Sequence, residues 1–337
     1  MRKIDIFTHI YPKAFYDRLL QVAGDFKDVG KRSRGVPMLY DLDERFRVMD
    51  RFDGYRQVLS LPTPPIEVVS NPTQAADLAK LANDGLADLV RRHPDRFAGF
   101  VASLAFNDPE EAVREARRAI DDLGARGIQM FSNVNGMPVS APQFLPIFET
   151  MAACDLPIWL HPYRGSAWSD YPAETRSEYE IWWTFGWPYD TSVAMARIVF
   201  AGLFDRFPNL KIISHHMGAM APYFAGRIGP GWDQLGARTS DEDLSLVLKR
   251  LKRRPIDYFR MFYADTALFG AFEATVCGLS FFGVDKVLFA SDSPFDPEKG
   301  PMYIRETISV IDRLPVSDFA REQIYWRNAA ALLRLPQ

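Results

Sequence analysis

Four of the five histidines in this sequence stand at the ends of short apolar runs, and an aspartate stands at the end of another. These residues are His9, His161, His215, His216 and Asp292. A single histidine at such a position is more often a hydrogen-bonded structural residue than a ligand. Four of them beside a carboxylate are much harder to explain in that way, because imidazoles and a carboxylate together suit Zn²⁺ or Mn²⁺. We therefore predict a divalent metal site.

The elements that must bring these residues together are eight short runs rich in apolar and β-branched residues. The runs are Ile4–His9, Arg56–Leu61, Phe97–Ser103, Gly127–Phe131, Pro157–His161, Lys211–His215, Met261–Asp265 and Lys286–Ser291. Each has the length of a strand that is buried on both faces, and amphipathic stretches separate them. The sequence therefore predicts an α/β fold, a parallel (β/α)8 TIM barrel. All strand C-termini meet on one face of such a barrel, so residues far apart in the chain converge there.

Helical spacing predicts helices between these strands, for example over Thr73–Arg92 and Glu110–Leu123. Asp108 suits the N-cap of the second helix, with Pro109 at its first position.

Two of the predicted connections are longer than usual, residues 10–55 and residues 162–190. Long connections of this kind are usually lids or pocket walls. The second is rich in aromatic residues, namely Tyr163, Trp168, Tyr171, Tyr179, Trp182, Trp183, Phe185, Trp187 and Tyr189. An aromatic wall over the barrel mouth suits a flat, unsaturated ligand, but packing of the insertion on itself or across a dimer interface explains the composition equally well. We predict one domain over residues 1–337, with these insertions on its C-terminal face.

The overall composition argues against several classes of partner. The chain has 337 residues with 40 basic and 43 acidic side chains, and its net charge of -3 gives no electrostatic basis for binding nucleic acid or an anionic membrane. No uninterrupted apolar run approaches the roughly 20 residues of a membrane span. The two cysteines, Cys154 and Cys277, lie in apolar stretches, which fits a reducing compartment. We expect a soluble, cytoplasmic protein.

Motifs for other chemistries are absent from the sequence. It contains no P-loop, no dinucleotide glycine fingerprint, no nucleophile elbow and no Cys-x-x-Cys. Neither cysteine has a histidine nearby in sequence, so a thiol nucleophile is disfavoured. The histidines and Asp292 remain the candidates for chemistry.

Around these residues the sequence resembles the amidohydrolase-related decarboxylases (amidohydrolase 2), the group that contains aminocarboxymuconate semialdehyde decarboxylase and γ-resorcylate decarboxylase. The similar blocks are residues 4–12, 157–162, 210–218 with 222–223, and 287–294, with further similarity at 41–50, 127–129 and 327–330. They follow one another in order over essentially the whole chain. The resemblance implies a (β/α)8 barrel, a divalent metal and a homodimer or higher homo-oligomer.

The resemblance also implies roles for individual residues. The family's histidines of strands five and six fall on His161 and His216, and its strand-eight aspartate falls on Asp292. On strand one the family usually offers two ligands, but here Phe7 replaces the first and only His9 remains. The implied metal ligands are His9, His161 and Asp292, with water or substrate completing the shell of Zn or Mn.

His215 stands where the family commonly has glycine, and it is a candidate to replace the missing ligand. Adjacent residues on a strand point to opposite faces, however, so we expect His215 to point away from the side chain of His216 unless the strand has ended. We assign His215 and Phe7, together with Arg164, to contacts with the substrate.

The activity that the resemblance implies is non-oxidative decarboxylation, a carbon–carbon lyase reaction, of a small aromatic or muconate-like carboxylic acid. A metal that chelates the acid and a neighbouring oxygen stabilises the charge that is left on carbon. Asp292 would then deliver a proton to that carbon, and His216 would act as acid or base. Arg164 is the candidate for a bidentate clamp on a spare carboxylate, with Arg34 behind it.

Two other hypotheses stay open. In one, the same site activates water and hydrolyses a lactone, an amide or a C–C bond. In the other, the chain is a metal-free barrel that binds a small ligand, a hypothesis that Phe7 favours. Release of CO₂ separates the first from decarboxylation, and measurement of bound metal tests the second.

Overall fold

The computed structural model describes residues 1–24, 28–238 and 242–335. Within these ranges the eight predicted strands all form, and they pair in parallel. They are β1 (Lys3–His9), β2 (Tyr55–Ser60), β3 (Phe97–Phe100), β4 (Ile128–Phe131), β5 (Ile158–His161), β6 (Ile212–Ser214), β7 (Tyr263–Asp265) and β8 (Val287–Leu288). Nearly every strand residue is buried, which explains why the runs are continuously apolar rather than alternating.

The strands form a (β/α)8 barrel, as the sequence predicts. One hydrogen-bonded ladder joins β1, β2 and β3, and another joins β4 to β8 in chain order. The ladders are interrupted at two seams. An isolated parallel bridge between Ala102 and Ile128 crosses the first seam. At the second, the amide of Ile6 donates to the carbonyl of Phe289 at 3.0 Å.

Helices occupy the connections between the strands. The α-helices are Lys13–Ala23, Val29–Ser33, Leu42–Met49, Ile66–Val69, Pro72–Arg92, Pro109–Asp121, Leu145–Cys154, Ile181–Thr184, Gly186–Phe200, Leu203–Arg206, His215–Gly218, Ala225–Trp232, Ser245–Arg250, Pro255–Phe259, Phe272–Phe282, Pro301–Arg313, Asp318–Glu322 and Asn328–Leu332. Shorter 3-10 or π turns are Pro37–Leu39, Pro142–Phe144, Val284–Lys286 and Gln323–Arg327, and a two-residue hairpin pairs Asn133–Val134 with Met137–Pro138. None of the helices in the described ranges is both long and apolar enough to cross a membrane.

Local sequence signals determine where the main helices begin. The side chain of Asp108 accepts a hydrogen bond from the amide of Glu111 at 3.1 Å, and a proline is the first helical residue, so the predicted start is confirmed. The helix Pro72–Arg92 begins with a capping box. The backbone N–H of Gln74 donates to the side chain of Asn71, and the backbone N–H of Asn71 donates to the side chain of Gln74.

Side chains fill the interior of the barrel. Ile6, Val58, Trp159, Ile213 and Leu288 come from five different strands and belong to one buried cluster. The indole Nε1 of Trp159 donates to the carbonyl of Ile6 at 3.2 Å, which ties β5 to β1 across the interior. Because the interior is packed, a site is confined to a mouth of the barrel, and the predicted residues stand at the C-terminal one.

Candidate active site

The predicted metal ligands lie together at the C-terminal mouth of the barrel. His9 ends β1, His161 ends β5 and Asp292 follows β8, and all three are buried. Each offers one ligand atom, and these atoms lie within 4.8 Å of one another. The Nε2 atom of His9 is 2.8 Å from the Oδ1 atom of Asp292. Residues that are hundreds of positions apart in sequence therefore form one compact donor group.

The imidazoles of this group are oriented by oxygen atoms behind them. The Nδ1 atom of His9 lies 3.1 Å from the carbonyl of Leu61 and 3.1 Å from the hydroxyl of Ser60. The Nδ1 atom of His161 lies 2.6 Å from the carbonyl of Pro162. A carbonyl only accepts, so on both rings Nδ1 is the donor and Nε2 is the nitrogen turned toward the site. Metal-ligating histidines are typically oriented in this way.

His215 and His216 also turn toward Asp292. The strand β6 ends at Ser214, and His216 then adopts left-handed backbone angles, φ 54° and ψ 52°. As a result, Nε2 of His215 lies 3.5 Å from Oδ1 of Asp292, and Nε2 of His216 lies 3.7 Å from Oδ2. The exception in the prediction therefore applies: the strand has ended before His215, and the two side chains turn to the same side.

A second aspartate, Asp265 at the end of β7, positions this pair. Its Oδ2 atom lies 2.5 Å from Nδ1 of His215, and its Oδ1 atom accepts the amide of His216 at 3.1 Å. Burial alone would lower the pKa of His215, but Asp265 and Asp292 outweigh it and raise that pKa to about 9. Asp265 ends a predicted strand, a signal that the sequence contains, but it is not among the predicted site residues.

The electrostatics of the site match what a metal requires of its ligands. Burial raises the pKa of Asp292, but the imidazoles of His215, His216 and His9 outweigh it and hold that pKa well below its ordinary value. Burial lowers the pKa of His161 well below its ordinary value, and the charges of His215 and His9 lower it further. Asp292 is therefore anionic and His161 neutral, the forms in which both groups bind metal.

A fully buried network holds β1 and β8 in register behind the site. The carboxylate of Asp5 accepts from the hydroxyl of Tyr55 at 2.6 Å and from the amide of Ser291 at 3.1 Å. Burial raises the pKa of Asp5 to about 6 although these hydrogen bonds oppose the shift. Arg45 donates to the carbonyl of His9 and, at 2.5 Å, to the side chain of Gln57. The backbones of a metal ligand and of the residue before Asp292 are thus fixed from below.

Phe7 lies beneath the donor group. Its side chain is fully buried, and its ring meets the ring of His215 edge-on, with 4.4 Å between centroids and 88° between planes. Phe7 is not among the residues that line the cavity described next, so the structure does not support a contact with substrate. It supplies an apolar floor in the position where the resemblance implies a ligand.

A cavity of about 410 Å³ opens above His9, His161 and Asp292. Its walls are largely aromatic, and they include Trp182, Trp183, Trp187, Phe269, Phe295 and Tyr303. Three of these come from the 162–190 insertion, so the predicted aromatic wall is present. The volume lies within the range of small-molecule sites, and flat aromatic walls suit a planar ligand.

The basic side chains at the cavity are not the ones predicted. Arg164 lies 3.4 Å from the carboxylate of Asp190 and over the ring of Trp168, and it does not line the cavity. Both contacts lie within the insertion, and the assignment of Arg164 to a substrate contact stays a prediction. Lys31 and Arg32 line the cavity in its place, whereas Arg34 does not. Nothing in the sequence distinguishes these neighbours from one another.

The donor set fits a divalent ion. Two imidazoles and one carboxylate are buried together, and on both rings the acceptor atom Nε2 is the one left for the ion. The 2.8 Å separation of His9 Nε2 and Asp292 Oδ1 places two acceptor atoms in contact, which is favourable only with a proton or a metal cation between them. A second group, His215, His216 and Asp292, shares the carboxylate.

The fold and this mouth of the barrel define the chain as a member of the amidohydrolase family. The family model described as Amidohydrolase (Amidohydro_2) matches residues 4–335. The predicted resemblance is confirmed.

Within the family, the similar proteins are decarboxylases. A γ-resorcylate decarboxylase of Polaromonas is 33% identical over 87% of this chain and 87% of its own length. A 2-amino-3-carboxymuconate-6-semialdehyde decarboxylase of Dictyostelium discoideum is 30% identical over 99% of this chain and 92% of its own length. The solved structure of a dihydroxybenzoic acid decarboxylase of Polaromonas, with bound manganese and the inhibitor 2-nitroresorcinol, superposes with a TM-score of 0.77, at 29% identity and coverage of 99% and 97%. These relatives are decarboxylases, and the chain is an enzyme of the same family.

Proposed function

We propose that this enzyme removes CO₂ from a small aromatic or muconate-like carboxylic acid, with His9, His161 and Asp292 as the metal ligands. The observation that carries the proposal is the buried donor group at the floor of an aromatic cavity of about 410 Å³. A cavity of this size accommodates one substituted ring above the donor group.

A divalent ion held by these residues would chelate the substrate's carboxylate with an adjacent oxygen and stabilise the negative charge that develops on carbon. The chain's own residues then have three tasks. They must hold the ring flat, bind its polar substituents and deliver one proton. Water must be kept away from the carbanion-like carbon, and the tryptophan walls serve that purpose.

The proton transfer is assigned to Asp292 and His216. When the carbon–carbon bond breaks, its electron pair stays on the ring carbon, CO₂ leaves and one proton is added to that carbon. The Nε2 atom of His216 lies 3.7 Å from Oδ2 of Asp292, so a proton can pass between them with a small movement. Because Asp292 is anionic at rest, it would first take up a proton from solvent, with His216 as its acid or base partner, and would then pass that proton to the carbon.

The substrate's further polar groups are assigned to the first insertion. Arg32 lines the cavity and donates to the carbonyl of Phe295, which also lines it, so the guanidinium is held at the wall. A planar guanidinium binds a carboxylate or phenolate through two parallel hydrogen bonds. Lys31 adds a second positive charge at the same wall.

The proposal is tested by incubating manganese-loaded enzyme with a panel of hydroxybenzoic and muconate-like acids and measuring CO₂ release. We expect CO₂ and the decarboxylated product in equal amounts from at least one acid, and neither from His161→Ala. Hydrolysis of lactones or amides without CO₂ release from any acid would show that the enzyme is a hydrolase instead.

Manganese is the proposed ion, with zinc as the competing one. The solved relative with bound manganese supports the choice, and the His₂-carboxylate donor set accepts either metal. Metal analysis of protein prepared without added metal, followed by reconstitution with each ion, distinguishes the two.

A homodimer or higher homo-oligomer is proposed through the second insertion. Four of its aromatic side chains are exposed although they are large, and a fifth exposed ring belongs to the segment after β6. They are Tyr171, Tyr179, Phe185, Tyr189 and Tyr223, with 55% to 89% of each residue exposed. Exposed aromatic clusters are enriched at protein interfaces. Light scattering on the wild-type chain and on Phe185→Glu tests this assignment.

A cytoplasmic location and a single domain over residues 1–337 are retained as proposals. Cys154 and Cys277 are both free, which supports a reducing compartment. The family model spans residues 4–335 without a break, which supports a single domain.

A further inference from the structure

We infer that His215 is an additional ligand, through its Nε2 atom, of the divalent ion that Asp292 binds. The inference rests on the proposed metal site and adds to it a donor that the chain supplies from the end of β6.

The first observation is the position of Nε2. It lies 3.5 Å from Oδ1 of Asp292, the same oxygen that His9 approaches at 2.8 Å. Two ligands that each lie about 2.1 Å from one ion are separated by roughly 3.0 to 4.2 Å, depending on the angle between them. The separation of His215 and Asp292 falls within this interval.

The second observation is that Nε2 of His215 is buried and makes no hydrogen bond of normal geometry within the described ranges, although it faces the carboxylate of Asp292 at 3.5 Å. Only 1% of the side chain is exposed. A buried polar atom without a partner is uncommon and calls for an explanation. An ion bound at Asp292 would satisfy it, just as it would satisfy Nε2 of His9 and of His161.

The third observation is the support behind the ring. The Nδ1 atom of His215 is held by Asp265, whose other oxygen accepts the amides of His216 and Ala267, each at 3.1 Å. Asp265 is therefore fixed in place and cannot turn away. A carboxylate behind an imidazole whose other nitrogen faces a metal is a recurrent arrangement, and it increases the basicity of the ligating nitrogen.

Phe7 explains why an additional donor comes from this side. Its carbon ring packs edge-on against His215 and 5.5 Å from the ring of His161, so β1 offers no donor besides His9. Phe7 contributes no ligand atom, whereas the ring of His215 that packs on it places a nitrogen atom beside Asp292.

A single ion fits the charge of the site better than two. His215 also forms a donor group with His216 and Asp292, so two ions sharing the carboxylate are geometrically conceivable. Asp292 faces the imidazoles of His9, His215 and His216, and its single negative charge would have to offset two divalent ions that repel each other. We therefore assign His215 to the same ion as His9 and His161. Its donor atom forms a group with Asp292 that is separate from theirs, so its ring must move toward them on binding.

The inference is tested by metal affinity rather than by activity. Metal-stripped wild type and His215→Gln, Asp265→Asn, His216→Gln, His161→Gln and His93→Gln are titrated with Mn²⁺, and the free ion is followed by electron paramagnetic resonance. We expect His215→Gln to weaken binding at least tenfold and Asp265→Asn to weaken it about tenfold, the size of effect expected when a supporting carboxylate is removed. His216→Gln and His93→Gln should bind within twofold of wild type, with one ion per chain.

The possible outcomes separate this inference from the proposed function. If His215→Gln binds Mn²⁺ like wild type while His161→Gln does not, His215 is not a ligand but the proposed metal site stands. If His161→Gln also binds normally, the proposed site itself is wrong. Two ions per wild-type chain would overturn the assignment to a single ion. Circular dichroism melting of each variant shows whether a loss of Mn²⁺ binding reflects unfolding. The Mn²⁺ affinity of Asp265→Asn is interpreted only if this variant is folded.

Discussion

The Nε2 atom of His9 lies 2.8 Å from the Oδ1 atom of Asp292, although 283 positions separate the two residues in the chain. The contact joins the ends of β1 and β8, where the amide of Asp292 also donates to the carbonyl of Phe7 at 3.2 Å. Because the Nδ1 atom of His9 faces the carbonyl of Leu61, the lone pair of the ring points at the carboxylate. The pair is thus arranged to share a cation, and several expectations depend on it.

Replacing Asp292 by Asn should abolish catalysis with little change in shape. The amide keeps the volume of the side chain but removes the negative charge that faces three imidazoles, and it can no longer carry the transferred proton. We expect kcat to fall at least about a thousandfold and Mn²⁺ binding to weaken by more than tenfold. Steady-state kinetics and metal titration check this. Activity within tenfold of wild type would exclude Asp292 from proton transfer.

Replacing Arg45 by Met should weaken both the fold and the metal site. Arg45 is completely buried and donates to the carbonyls of His9 and Met38 and to Gln57, and burial lowers its pKa to about 10. Its loss leaves these acceptors without donors, so we expect a decrease on the order of 3 kcal/mol in the free energy of unfolding. The Mn²⁺ affinity should also fall, since the backbone of His9 is no longer fixed.

Arg47 provides the matched control for this experiment. It lies on the same helix, Leu42–Met49, but 69% of its side chain is exposed and its partner is Glu44. Arg47→Met should change the free energy of unfolding by less than about 0.5 kcal/mol. Equal effects of the two substitutions, measured by urea denaturation, would contradict a specific role of Arg45.

Removing one aromatic wall of the cavity should affect substrate binding more than chemistry. Trp183 lines the cavity and lies near Phe269, with 6.4 Å between ring centroids. Trp183→Ala should raise KM for an aromatic acid about tenfold, equivalent to about 1.4 kcal/mol, with kcat changed less than threefold. Phe319→Ala, an exposed ring outside the insertion, should leave both constants unchanged. A fall in kcat with KM unchanged would mean that Trp183 does not hold the ring of the substrate.

The sequence was sufficient to locate the strands and the residues at their ends, but not the side-chain directions beyond them. His9, His161 and Asp292 follow apolar runs, and a barrel necessarily brings such ends together. The inward turn of His215 depends on the left-handed backbone of His216, which periodicity does not reveal. Arg164 lies 3.4 Å from Asp190, which is 26 positions away, and a pairing of that kind is decided by the path of the insertion rather than by a local pattern. Lys31 and Arg32 reach the cavity for the same reason.

Glu67 should make the stability of the fold depend on pH. It lines a small cavity beside Leu61 and Gln129, separate from the active-site cavity, and is only 4% exposed. Its Oε1 atom finds no hydrogen-bond partner among the described residues. Burial raises its pKa from 4.5 to about 8, and a hydrogen bond from its own amide opposes the shift only partly. Between these two values the unfolded chain releases the proton while the native protein keeps it.

Because the native state then binds more protons than the unfolded state, the free energy of unfolding falls as pH rises from about 4.5 to 8 and changes no further above that. The full effect of the shift is on the order of 4 kcal/mol. Glu67→Gln keeps the shape of the side chain and cannot ionise. Its free energy of unfolding should equal that of wild type at pH 5, and at pH 9 the variant should be several kcal/mol more stable than wild type. Urea denaturation at both pH values measures the difference. Glu110→Gln, at a side chain that is 89% exposed, is the control and should show no such trend. A constant difference between Glu67→Gln and wild type across this range would mean that Glu67 is already ionised in the folded protein.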